Sequence, residues 1–76
     1  MESSPTTFKI KGGKLVVWET HNGKIHRIDG PAAEYANGDK EWYLNDRFME
    51  FSEWKQEVRQ YYDSQEDYLL MLLKLD

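Results

Sequence analysis

"HRIDGPAAEYANGDKEWYLN", residues 26–45, decides how this chain folds. Asn37-Gly38 sits between two short alternating runs and is the strongest hairpin signal in the sequence. An Asn-Gly pair supplies the positive φ angles of a two-residue turn whose twist matches that of the flanking strands. The runs "PAAEYA" and "DKEWYL" therefore become the arms of a hairpin. Upstream, Pro31 fixes its own φ and lacks an N–H donor, and it biases Gly30 towards an extended shape. The same stretch carries His26, Arg27, Asp29 and Glu34. Those polar side chains either perform chemistry or shape a small sheet.

Working outward, the same grammar repeats. "TFKIKG" alternates, with Thr6, Phe8 and Ile10 on one parity and Thr7, Lys9 and Lys11 on the other. Gly12-Gly13 offers the next hairpin turn. "KLVVWET" is β-branched and bears Trp18. His21-Asn22-Gly23 closes it, and "KIHRI" alternates again. Beyond the central hairpin, Asn45-Asp46 can turn the chain once more into "RFMEF". Residues 6–51 are thus expected to form an antiparallel meander of about five short strands. Residues 1–5, polar and Pro-containing, are expected to be a disordered terminus.

At Ser52 the period changes. Ser52 is the expected N-cap, with Glu53 in the first turn. Trp54, Val58, Tyr61 and Tyr62 follow at helical spacing. Asp63-Ser64 interrupts the pattern, and Ser64 with Asp67 three residues on has capping-box spacing. A second helix then carries Tyr68, Leu69, Leu72, Leu73 and Leu75; one continuous helix over 53–74 is the alternative. Leu70 and Met71 make the second segment apolar almost all round. Tyr68, Leu69 and Leu72 are assigned to plugging the sheet. Leu70, Met71 and Leu73 are assigned to an oligomer interface. The expected fold class is α+β, in one domain: a meander over 6–51 and a helical cap over 52–76.

The composition sets bounds. A 76-residue chain buries only roughly 60–65% of its unfolded surface and is marginally stable. It has no cysteine, so disulfides and thiolate metal sites are excluded. Aromatic packing has to compensate, and three Trp and five Tyr are present to do so. The N-terminus does not read as a secretory signal. The longest apolar run, "YLLMLL", falls far short of the roughly 20 residues of a membrane span. A soluble cytoplasmic protein with no membrane partner is expected.

The net charge of −4 is unevenly placed. Residues 1–47 balance seven acids with seven bases, whereas residues 48–76 hold seven acids and three bases. That argues against direct nucleic-acid binding, which needs excess Lys and Arg. It allows an acidic helix face that docks on a basic protein.

"WETHNGKIHRIDGPAAEYANGDKEWYLND", residues 18–46, resembles short viral repeats of the form W-Y-x-N-G-K-x-H-R-x-D-G-P-A-x-x-Y-x-N-G-x-x-x-W. These occur in small proteins of bacteriophages and some large viruses and are similar to MORN-type β-hairpin arrays. The run His26-Arg27-x-Asp29-Gly30-Pro31-Ala32 carries the likeness. The chain departs from the pattern at Asn45-Asp46-Arg47, where Asn-Gly-Lys is usual, and the run does not recur. The resemblance implies a β-hairpin repeat of viral origin and supplies no catalytic residues. Small phage proteins of this format commonly bind and inhibit a host protein.

The candidate chemistry is thin. His26, Asp29 and Glu34 could act as base, orienter and acid. Their structural duties are simpler: an Asx turn for Asp29, ion pairing of Arg27 with Glu34 or Asp29, and stacking of His26 on Trp18 or Trp42. A metal site on His21 and His26 lacks a third ligand at any motif spacing. No cofactor and no enzymatic turnover are expected. The aromatics Trp18, Tyr35, Trp42, Tyr43, Trp54, Tyr61 and Tyr62 are mostly core. Neighbours Trp42 and Tyr43 point to opposite faces, however, so one of them is left for a partner. The expected function is a non-catalytic module that binds a host protein. Its contact residues would be Arg27, Tyr35 and Tyr43 on the sheet and Glu53, Glu57, Glu66 and Asp67 on the helices. Self-assembly through the last helix is the alternative, and a small His26-dependent enzyme is the weakest reading.

Overall fold

The turns fix the topology. In the computed structural model, which describes residues 3–75, the strands run β1 (Ser3–Ile10), β2 (Gly13–Thr20), β3 (Ala33–Tyr35), β4 (Lys40–Leu44) and β5 (Arg47–Met49). They lie side by side in that order, each antiparallel to the next. Helices α1 (Phe51–Val58) and α2 (Gln65–Leu73) follow, joined through a 3₁₀ turn over Arg59–Tyr61. The expected α+β architecture, a five-strand meander with two C-terminal helices, is what the chain adopts.

Its boundaries differ from the sequence reading in physically instructive ways. β1 begins at Ser3, so residues 3–5 belong to the sheet and not to a disordered terminus. β2 is long enough to pair with all of them, and Pro5 faces Trp18 at the outer edge, where a missing N–H costs nothing. Residues 1–2 lie outside the described residues. The "KIHRI" run is not a strand; only Ile25 bridges to Glu19. The segment is instead held by single bonds on both sides: His26 N–H to Trp18 O, Arg27 N–H to Tyr43 O and Asp46 N–H to Ile25 O. Helix α1 begins at Phe51, with Glu50 and not Ser52 at the N-cap, two residues before the expected start, and has no side-chain cap. Phe51 packs on Trp42 at 4.5 Å, which anchors that first turn.

The Asn45-Asp46 corner explains the departure from the repeat pattern. Both residues have positive φ, at 53° and 70°, as a type I′ turn requires. Glycine would adopt this shape more easily. Asp46 offsets the strain by accepting the Ile25 N–H on its carboxylate at 2.6 Å, which pins the 24–31 segment to the turn.

The register divides the sheet into two faces. Lys9, Lys14, Val16, Trp18, Glu34, Trp42, Leu44 and Met49 share one. The helices pack on the β4–β5 end of it. Leu44, Met49, Trp54, Val58 and Met71 form the core there, with Ile28, Trp42, Tyr61, Tyr62, Tyr68, Leu72 and Leu75 against it. Two helices form, not one, because Tyr62 is extended and its hydroxyl donates to Ile28 O at 2.7 Å. Ser64 caps α2 by accepting the Asp67 N–H at 3.0 Å, as its spacing predicts. Met71 is 5% exposed and sits in the core, whereas Leu69 is exposed. The assignments of Met71 to an interface and Leu69 to the plug are therefore reversed. An all-round apolar helix carries no periodic signal that would tell its faces apart.

Candidate functional site

The chemistry-bearing run 26–32 is occupied with folding. His26 is 1% exposed. Its Nδ1 accepts the Asn45 N–H at 3.1 Å, so the proton of the neutral ring resides on Nε2. Nε2 has no hydrogen-bond partner among the described residues. The imidazole meets Tyr61 edge-on at 5.4 Å, not Trp18 or Trp42. Arg27 is what covers Trp18, its guanidinium 3.8 Å from the ring centroid. Arg27 Nε also donates to Asp29 at 2.8 Å, Nη1 donates to Pro31 O at 3.1 Å, and Glu34 lies 3.6 Å away. A Cβ at Gly30 would fall 2.8 Å from the guanidinium carbon, so the glycine makes room for it. Ala32 is buried; its N–H donates to Glu41 O and its carbonyl accepts from Trp18 N–H. The His-Arg-x-Asp-Gly-Pro-Ala run thus builds one guanidinium-centred joint between β2 and β4.

Burial lowers the His26 pKa below its ordinary 6.5. Protonation would also set an N–H against the Asn45 donor. Above pH 6.5 the benefit of the neutral ring is complete; below it the unfolded chain takes up the proton first and stability falls until the folded-state value is passed. The denaturation midpoint should therefore be lower at pH 5.5 than at pH 7.5. The His26→Gln variant should show a flatter dependence, as urea titrations at the two pH values can check.

His26 also lines a cleft of about 420 Å³ with Ser3, Trp18, Ile28, Asp29, Tyr62 and Lys74. Burial pushes the Tyr62 hydroxyl up to about 12, so it serves as a donor to Ile28 O and not as a base. Among the described residues no three His, Cys, Asp or Glu side chains are grouped as metal ligands.

The expected contact residues divide. Tyr35 and Tyr43 lie on the sheet face away from the helices. Row by row, the register places Phe8, Leu15 and Tyr35 together, then Thr6, Val17, Ala33 and Glu41, then Tyr43 and Phe48. Tyr43 and Phe48 meet edge-on at 5.7 Å. Tyr35 donates to Glu41 at 3.2 Å, and that hydrogen bond to a carboxylate raises its pKa. Partial burial does the same for Tyr43. Phe48 is 53% exposed, and Phe8 and Ile10 are also exposed. Arg27 is not part of this surface; it lies on the opposite side, over Trp18. Glu53 pairs with Arg47 at 3.1 Å, while Glu57, Glu66 and Asp67 are exposed on two different helices. Leu70 and Leu73 are exposed on α2, beside Leu69.

Phe48, Phe8 and Ile10 escaped the sequence reading as contact residues. Counting back from a two-residue turn at Asn45-Asp46 puts Tyr43 opposite Phe48, and that count is the signal that could have found the pair. No helix of the described residues is long and apolar enough to cross a membrane. No protein-family model, no curated protein and no solved structure matches the chain.

Proposed function

We propose that this chain is a non-catalytic protein-binding module, encoded by a virus of bacteria and acting by direct contact to inhibit or modulate a host protein. The observation that carries the reading is the uncovered sheet face. The helices pack on the other side, so Phe8, Ile10, Tyr35, Tyr43 and Phe48 stay partly or fully exposed in a chain short of apolar residues to bury. An exposed sheet face that sets apolar and aromatic side chains among polar groups is typical of an interaction surface. The Arg27 joint and the buried His26, whose Nδ1 accepts the Asn45 N–H, leave the polar residues with structural work, which favours binding over turnover.

The test is capture from bacterial lysate with mass-spectrometric identification, run in parallel on variants. A specific partner retained by the wild type should fall at least about tenfold with Phe48→Asp, as expected for loss of an aromatic anchor. It should persist with Leu73→Glu. The same partner held equally by Phe48→Asp overturns the assignment of the face.

A second reading, self-assembly, is favoured by Leu69, Leu70 and Leu73, the last 67% exposed. It requires a dimer by sedimentation equilibrium that Leu73→Glu dissolves; a monomer at all concentrations removes it.

A further inference from the structure

Residues 3–18 carry Lys9, Lys11 and Lys14 and no acid, whereas residues 19–75 carry twelve acids and seven bases. Lys9 and Lys14 are direct cross-strand partners. Like charges placed so are destabilising unless an anion lies nearby, and among the described residues none of the three lysines is ion-paired. β1 is the outer strand of the sheet, and Ser4 to Ile10 are all exposed.

The direction of its free groups follows from the register. Trp18 N–H donates to Ala32 O, and Lys14 O accepts from Ala36 N–H, so both residues turn their main chain away from β1. Their partners Pro5 and Lys9, with Thr7 between them, turn theirs outward to solvent. Pro5 has no N–H. The usable edge is therefore short: the N–H groups of Thr7 and Lys9 and the carbonyls beside them. Side chains next to that edge alternate, Phe8 and Ile10 on one face and Thr7 and Lys9 on the other.

We propose that residues 6–10 of β1 accept an extended segment of a partner protein as a sixth strand, and that this segment alternates apolar and acidic side chains. The apolar ones lie beside Phe8 and Ile10, and the acidic ones beside Lys9 and Lys11, with Lys14 one strand further in. Main-chain bonds supply affinity and the alternation supplies selectivity. A second copy of β1 fits poorly, because it would bring three further lysines to this edge and its Pro5 would shorten the ladder, two devices that protect edges from self-pairing. The proposal rests on the binding-module reading and names a separate contact within it.

The test uses the full-length ¹⁵N-labelled protein and a blocked heptapeptide of alternating Glu and Val, with an alternating Lys and Val peptide as control. The acidic peptide should shift the Thr7 and Lys9 amides and slow their exchange. The Lys9→Glu variant should weaken binding about fivefold or more, by loss of one ion pair and gain of a repulsion. The Thr7→Pro variant, which removes an outward N–H, should abolish it. Shifts confined to Tyr43 and Phe48, equal binding of the Lys peptide, or no shift at millimolar peptide would overturn the edge. A natural partner lost with Phe48→Asp but held equally by Lys9→Glu would remove the edge while leaving the binding module standing.

Discussion

Replacing Trp54 with alanine leaves the chain without a cooperative folded state. Trp54 is 0% exposed and sits among Leu44, Met49, Val58 and Met71. Its ring lies 4.6 Å from that of Trp42, and its Nε1–H donates to Arg27 O at 3.2 Å. Truncation of a buried Trp costs about 3–5 kcal/mol. The carbonyl left without its donor adds about 1 kcal/mol. A domain of this length has about 4–11 kcal/mol of stability in total, and a small one without cross-links lies near the low end. The loss takes most or all of it. Near-ultraviolet circular dichroism and urea unfolding should show a flat, unfolded baseline for Trp54→Ala. Trp54→Phe, which keeps most of the apolar volume but drops the hydrogen bond, should stay folded. An alanine variant with a midpoint close to wild type would show that the helices are not seated on this residue.

Replacing Gly13 is the second large loss. Its φ is +136°, and a Cβ added there would lie 2.6 Å from Ala36 Cβ. Neither side can give way easily. Gly13 pairs with Ile10 at the end of the first hairpin, and Ala36 N–H is fixed to Lys14 O at 2.9 Å. Backbone strain of about 1–3 kcal/mol combines with overpacking of a similar about 1–3 kcal/mol. Gly13→Ala should therefore lower the unfolding free energy by about 2–6 kcal/mol. The second change Ala36→Gly removes the overlap but not the strained φ, so the double variant should recover part of the loss. That non-additivity separates the two causes. Full additivity would mean that the two backbones do not approach. The consequence reaches function, because this contact holds the hairpin in register and so aligns Phe8, Leu15 and Tyr35 across the sheet.

Much of this was legible in the chain. Asn37-Gly38 placed the central hairpin, alternation gave the strands around it, and the spacing of Trp54 and Val58 with the Ser64 cap gave the helices. What was not legible had contacts distant in sequence. Arg27 reads as an exposed basic residue until Trp18 and Gly30 are known to lie on either side of it. His26 reads as a candidate base until its Nδ1 is seen to hold the Asn45 amide, 19 residues away. The run 24–28 alternates like a strand, but alternation cannot say whether a ladder continues on either side. In α2, apolar on every side, nothing local sent Met71 inward and Leu69 outward. Phe48 was missed because its exposure depends on which face the helices cover.

On the reading proposed above, a partner sits on the sheet face opposite the helices. Carbene footprinting of the free protein and of its complex with a captured partner measures this directly. Labelling of Tyr35, Tyr43 and Phe48 should fall on binding, while Tyr61, Tyr68, Leu70 and Leu73 stay as they were. Protection confined to the last helix, with Tyr43 and Phe48 still fully labelled, would contradict it.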